Sequence, residues 1–406
     1  MSGADDRRRA VAGVLAGLDE VEVRVDKLVT GGDGLARVEG VPLFISRAAP
    51  GDRARVRIVD RRPDYGRAEI VELVEPSPVR REAPCPHFGR CGGCDLQHID
   101  DAAQSKLRAG AALETLRRIG NVEPQEVEVV TGAAWGYRLR AQLRTDEEGR
   151  VGYFARGSRD LVAVDACPVL LPELESVIGT LAEQPGALRP RIDLAVGDSG
   201  LISAAPPVPE HPGGAIRRTI AGHRFEFDAR TFFQGHAGLL DDLYRVACGH
   251  WRGETALDLY AGVGLFSVGL AGRYDRVVGV ESDRVAARYA RRNVRRARLA
   301  QRAPVAGGCH IEVEGRSVEG FLPTWAEPVD RVLVDPPRGG LGRPVKRELK
   351  RIAAGRLTYV SCYPATLARD LRDLSDVYAV ESVTLLDMFP QTGHIEAVVQ
   401  MRLIAS

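Results

Sequence analysis

The spacing of hydrophobic and polar positions divides this chain into stretches of different period. Between Val21 and Val74, short runs alternate apolar and polar side chains: 21–25, 35–38, 41–45, 53–59 and 68–74. A period of two over runs bounded by glycine and proline predicts strands with one buried face. With Gly31-Gly32-Asp33-Gly34 as a turn, these five strands suggest a small closed barrel of the OB type, and Pro76-Ser77-Pro78 ends it. Residues 102–119, rich in Ala, Leu and Arg, predict a helix. Strands are expected again over 136–164, where Arg138, Arg140 and Arg144 fall on one face; that face suits either a phosphate track or plain solvent. A Pro/Gly-rich connector follows over 185–215. From about residue 226, apolar runs at 256–260, 277–281, 331–335 and 357–361 each end in a polar or glycine turn, with helical material between. That pattern predicts an α/β unit with a mostly parallel sheet.

The boundaries read from these changes are an arm over 1–17, a barrel over 18–76, a central domain over 77–225 and the α/β domain over 226–406. A length of 406 residues accommodates two or three such domains, each with its own core. Apolar and charged fractions of 44% and 27% are those of an ordinary globular protein. No apolar run reaches membrane-spanning length, and the charged start, Met1 to Arg9, has no signal-peptide core. Cytoplasmic residence without a membrane partner is therefore expected, and nothing in the sequence calls for an obligate protein partner. A net charge of +1 leaves nucleic acid open as a partner. Lysine occurs only at 27, 106, 346 and 350, so nearly all the basic residues are arginine. Arginine suits phosphate recognition, although a GC-rich coding bias gives the same composition.

Cysteine use adds chemistry. Seven cysteines, an odd number, argue against a disulfide framework. Cys85, Cys91 and Cys94 crowd into one glycine-rich segment, and Cys167 offers a fourth thiolate. Four thiolates suit tetrahedral zinc or an iron–sulfur cluster; the three-plus-one spacing with tight glycines favours the cluster and leaves zinc open. Further on, Asp258-Leu259-Tyr260-Ala261-Gly262-Val263-Gly264 follows a strand, and Glu281 ends the next one. Gly262 and Gly264 permit close backbone approach to a nucleotide-like ligand, and Glu281 can accept hydrogen bonds from ribose hydroxyls. Position 267 is serine where a dinucleotide fingerprint has its third glycine, which favours S-adenosylmethionine over NAD. Asp335-Pro336-Pro337-Arg338 is a stiff loop with a carboxylate at its entrance.

Cys362 follows the apolar run 357–360, and Glu396 lies in a second segment downstream. Uracil C5 is a poor nucleophile. A thiolate added at C6 makes C5 enolate-like, so that it can attack a methyl sulfonium, after which a base must remove the C5 proton. One cysteine, one carboxylate and a methyl donor meet that requirement.

Together these residues resemble the iron–sulfur-containing RNA uracil-5-methyltransferases, in the subgroup that begins with a TRAM domain. The resemblance spans about 20–404. It rests on Gly31 to Ala36 and Ala49 to Asp52 for TRAM, on Cys91-Gly92-Gly93-Cys94-Asp95-Leu96-Gln97-His98 with Gln104 and Lys106, and on Phe232-Phe233-Gln234, Tyr260, Glu281, Asp335, Cys362 and Glu396. It implies a class I methyltransferase domain with a Rossmann-like seven-stranded sheet, an N-terminal OB-like TRAM β-barrel and a central α+β iron–sulfur domain. By the same resemblance, Cys362 is the nucleophile and Glu396 takes the C5 proton. Gln234, Tyr260, Gly262, Gly264, Glu281 and Asp335 are expected to contact S-adenosylmethionine, and Cys85, Cys91, Cys94 and Cys167 to ligate a [4Fe–4S] cluster. The implied partner is RNA, ribosomal in preference to transfer RNA. The chain departs from the family pattern at Tyr363 and at Gly235-His236, where asparagine is usual, and over 309–319, where an acid near the adenine is usual. Two other functions fit some of these residues: methylation of an exocyclic amino group, which an Asp-Pro-Pro loop also serves, and RNA binding without catalysis.

Overall fold

A computed structural model describes residues 14–183, 190–300 and 309–404, so most of the expected arm lies outside the described residues. They divide into two compact units. One holds the chain through Glu114 with Phe154–Val162 and Phe389–His394; the other holds Thr115–Tyr153, Ala163–Met388 and the chain from Ile395.

In the first unit the alternating runs become a six-stranded sheet, in the order Glu20–Arg24, Arg53–Arg61, Gly66–Glu75, Val41–Ser46, Gly34–Val38, Lys27–Leu28. Lys27–Leu28 is a strand beyond the five expected, too short for an alternation to register. Period two sorts the side chains: Ala54, Val56 and Ile58 are buried, while Arg55 and Arg57 face solvent and pair with Glu20 and Glu72. Val23, Leu43, Ile45 and Val56 fill one core, each side chain contributing roughly 1.5–3 kcal/mol on burial. Leu15, at the end of the expected arm, belongs to that core, packed where a Cβ on Gly66 would stand.

The segment Phe389–His394 is held in the same unit by hydrogen bonds. Gln104 Nε2 donates to Gln391 Oε1 at 2.8 Å, the Gln391 amide donates to Gln104 Oε1 at 3.1 Å, and Arg108 donates to the carbonyls of Phe389 and His394 at 3.0 Å. Gly393 lies so close to Gly31 that a Cβ there would collide with its carbonyl.

The second unit is built on an eight-stranded sheet. Its order is His310–Glu314, Tyr274–Val280, Gly253–Leu259, Arg331–Val334, Arg356–Ser361, Glu396–Leu403, Tyr378–Leu386, Glu126–Val130. Seven of these, numbered along the chain, run 3-2-1-4-5-7-6 with the last strand antiparallel to its neighbours, the arrangement of a class I methyltransferase sheet. The eighth, Glu126–Val130, adds in parallel along 382–386 from the region read as the central domain. Its Glu-Val-Glu-Val-Val pattern is largely exposed, so no buried face announced it.

Arg140–Thr145 pairs with Arg191–Val196 in a separate sheet. The phosphate-track reading fails at Arg140: its guanidinium donates to the Ala229 carbonyl at 3.1 Å, and burial lowers its pKa to about 10. Among the described residues no helix is long and apolar enough to cross a membrane.

Candidate functional site

Strand register assembles the site. Leu259 pairs with Val334, Val334 with Tyr359, and Ser361 with Ala397 in antiparallel sense. That last pair ends its ladder, and Cys362 and Glu396 are the next residues of the two strands, near enough that the Glu396 charge acts on the Cys362 thiol; Asp335 and Tyr260 follow the ends of the adjoining strands. The carboxyl ends of neighbouring parallel strands are where open α/β sheets take ligands. Gln234 Nε2 donates to Asp335 Oδ2 at 3.1 Å, and the Asp335 amide donates to the Leu259 carbonyl at 3.3 Å.

The electrostatics follow from burying acids close together. Burial pushes the Glu396 carboxyl well above the ordinary carboxylate range, and the charge of Asp335 adds to the shift. Asp335 is raised by burial and then by Asp258, with the Gln234 hydrogen bond pulling the other way. Burial first, then the charge of Glu396, push the Cys362 thiol up to about 11 against the opposing Arg338 guanidinium. A cation brought beside such acids favours their charged forms.

The glycine segment lies beside this cluster. Tyr260, Gly262 and Gly264 all have left-handed φ (64°, 55° and 83°), which is strained for the tyrosine. Glu281 Oε2 accepts from the Gly262 amide at 2.8 Å and its Oε1 from the Asp283 amide at 2.6 Å. The carboxylate expected at a ribose therefore also shapes the loop. Asn293, on the helix Arg284–Ala300, donates to the Val263 carbonyl at 2.9 Å and locks the loop from behind. Ser267, at the place of a dinucleotide fingerprint's third glycine, donates to Asp258 Oδ2 at 2.5 Å; burial raises Asp258 to about 7. Asp258 was missed as a site residue. Its signal is a carboxylate inside the apolar run Ala256-Leu257-Asp258-Leu259. In the region 309–319, Glu319 accepts from the Tyr260 hydroxyl at 3.5 Å, a second acid that the poorly matching sequence hid.

The two departures take different places. His236 is fully buried: its ring stacks on Tyr137 at 4.7 Å, Nε2 lies 3.1 Å from the Ala133 carbonyl, and Nδ1 accepts from the Gly238 amide at 3.2 Å. It is a structural side chain. Tyr363 is 42% exposed and follows Cys362 directly; Phe232, two residues before Gln234, is 68% exposed. The third exposed aromatic among the described residues, Phe154, lies in the other unit.

In the first unit, Cys91 and Cys94 line a cavity of about 520 Å³ with Arg47, Arg90 and Arg156. The Gly93 amide donates to Cys91 Sγ at 3.4 Å. A Cβ at Gly92 would meet the Phe154 carbonyl at 2.9 Å, so that turn requires glycine. Cys85 is tied through its amide to Gln97 Oε1 at 3.1 Å. Cys167, in the second unit, donates its amide to Glu175 at 3.0 Å. Among the described residues no three His, Cys, Asp or Glu side chains are grouped so as to hold a metal ion.

The sheet order and the glycine loop define a class I methyltransferase. Comparison with known proteins narrows the class. The family described as tRNA (Uracil-5-)-methyltransferase matches residues 324–403, and the TRAM domain matches 19–71. An RNA methyltransferase of Protochlamydia amoebophila is 30% identical, over 94% of this chain and 98% of its own. A 23S rRNA (uracil(1939)-C(5))-methyltransferase, RlmD, of Pectobacterium atrosepticum is 31% identical over 92% of both chains. Among solved structures, the Pyrococcus abyssi tRNA (uracil-54, C5)-methyltransferase in complex with S-adenosyl-L-homocysteine superposes with a TM-score of 0.69. It is 26% identical, over 94% of this chain and all of that one. The chain belongs to the family of RNA (uracil-5-)-methyltransferases that carry an N-terminal TRAM domain.

Proposed function

We propose that this enzyme transfers the methyl group of S-adenosylmethionine to C5 of a uridine in ribosomal RNA, through a covalent bond between Cys362 and C6. The observation that carries the reading is the nearness of Cys362, Glu396 and Asp335: the charges of both acids act on the Cys362 thiol, and that of Asp335 acts on Glu396. The Cys362 thiolate adds to C6 of the uracil ring, and the electron pair displaced from the C5–C6 double bond makes C5 a nucleophile. C5 takes the methyl group from the sulfonium, leaving S-adenosylhomocysteine. Glu396 then removes the C5 proton, the double bond re-forms, and the thiolate leaves. A sulfonium cation brought against Asp335 and Glu396 favours their charged forms, which readies Glu396 as a base. Arg338 does the corresponding work for the thiolate.

In this reading the donor's adenosyl end lies against Gly262 and Gly264, with Glu281 at its ribose, while Gln234, Asp335 and Tyr260 line the reacting side. Phe232 and Tyr363 offer exposed rings for stacking against bases. A uridine in structured RNA must be flipped out to reach Cys362, at a cost of about a few kcal/mol. Ribosomal RNA is favoured over transfer RNA by the 31% identity to an enzyme of 23S rRNA across nearly the whole chain.

By resemblance to the family, Cys85, Cys91, Cys94 and Cys167 are proposed to hold a [4Fe–4S] cluster with a structural or RNA-positioning part; no step of methyl transfer passes through it. The test is incubation with labelled S-adenosylmethionine and either 23S rRNA or bulk tRNA, followed by nucleoside analysis. Label in 5-methyluridine from rRNA is expected. Label on an amino group, or transfer to tRNA alone, overturns the respective part of the reading.

A further inference from the structure

The helix Arg284–Ala300 leaves the sheet just after Glu281 and carries arginine at 284, 288, 291, 292, 295 and 298, all exposed. At 100° per residue these six fall within a sector of about 120°, and they span about 21 Å along the axis. The opposite face is small and apolar: Ala286, Ala287, Ala290, Val294 and Ala297 are buried, and Asn293 ties the helix to Glu226 and Val263. The stripe is thus fixed to the body of the methyltransferase sheet.

Its charge is not neutralised. Arg288 and Arg292 flank the Tyr289 ring at 5.9 and 5.7 Å, and Arg291 donates to the Val313 carbonyl at 3.2 and 3.0 Å. None of the six forms an ion pair with a carboxylate among the described residues. Arg296, on the flank, is the arginine of this helix that does, with Glu226 at 2.7 Å. The barrel strands are the contrast: Arg53, Arg55 and Arg57 are each matched by Glu20, Glu22, Glu72 or Glu75. A general coding bias toward arginine does not explain unmatched charge on one helical face in a chain whose net charge is +1.

We infer that this arginine stripe is a binding surface for the phosphate backbone of RNA, outside the pocket that receives the target uridine. Guanidinium forks suit phosphate oxygens, and a stripe of about 21 Å can engage several consecutive phosphates. A lipid surface fits less well, because Leu299, 78% exposed at the helix end, is the one large apolar side chain this face offers. The inference rests on the reading of the enzyme as acting on RNA.

The test compares the full-length protein with Arg288→Gln/Arg292→Gln/Arg295→Gln and, as a control, Arg55→Gln/Arg57→Gln. Affinity for a 23S rRNA fragment is measured by filter binding across a salt series, alongside binding of S-adenosylhomocysteine. The helix variant is expected to bind RNA on the order of tenfold more weakly or worse. The slope of log K against log salt should fall by about 2–3, or roughly 0.7–0.9 for each phosphate no longer neutralised. Cofactor binding should be unchanged, which excludes misfolding. The barrel variant should keep the wild-type slope. Equal slopes for the helix variant and wild type overturn the inference, as does a loss confined to binding of anionic vesicles. Failure of the wild type to methylate any RNA would instead count against the functional reading, since the binding comparison does not depend on turnover.

Discussion

At the scale of single residues, the account turns on two protons. The first is on Cys362. Burial, then Glu396, raises this thiol to about 11, so at neutral pH it is almost wholly protonated in the free enzyme. The thiolate is the reactive form, and its fraction grows with pH up to the pKa. Alkylation of Cys362 by iodoacetamide, followed on its own peptide by mass spectrometry, should therefore accelerate about tenfold per pH unit between pH 7 and 10. Arg338→Gln removes the opposing cation and should slow alkylation at every pH in that range. A rate that is flat with pH would refute the assignment of a raised thiol. The second proton is on C5. Glu396→Gln leaves addition and methyl transfer possible but removes the base, so protein bound covalently to methylated RNA should accumulate with ordinary uridine substrate. If Glu396→Gln turns over at the wild-type rate, another group is the base.

At the scale of elements, strand ladders order the second unit and hydrogen bonds hold one late loop in the first. Phe389–His394 is bonded through Gln104, Gln391 and Arg108, and it directly precedes Ile395-Glu396. Gly393→Ala places a methyl group against the Gly31 carbonyl, which must shift, at a cost of about 1–3 kcal/mol or more. A clear fall in the unfolding midpoint is expected, and an unchanged midpoint contradicts the packing described. The same elements show what the sequence disclosed. Cys362, Asp335 and Glu281 were legible because each follows an apolar run that can only be a buried strand. Glu126–Val130 was not, since an exposed edge strand has no buried face to reveal it. Nor was the half-buried state of Arg140, because alternation assigns a residue to a face without saying what covers that face. Asp258 was hidden for the opposite reason: its partner, Ser267, lies nine residues on and meets it only through the turn at Gly264.

For the whole molecule, a class I methyltransferase sheet is combined with a TRAM domain and a cysteine-rich segment. If Cys85, Cys91, Cys94 and Cys167 hold a cluster, anaerobically purified protein should be brown and carry about four irons per chain, and Cys91→Ser should lose them. Stoichiometric zinc without colour would reject the cluster. The central claim is covalent catalysis by Cys362, and 5-fluorouridine tests it directly, because fluorine at C5 cannot leave as the proton does. Incubation of the wild-type enzyme with S-adenosylmethionine and rRNA containing 5-fluorouridine should give a stable protein–RNA adduct, with the modified nucleotide on the Cys362 peptide, and Cys362→Ala should give none. Methyl transfer by Cys362→Ala at the wild-type rate, or an adduct mapped to another cysteine, would contradict the account.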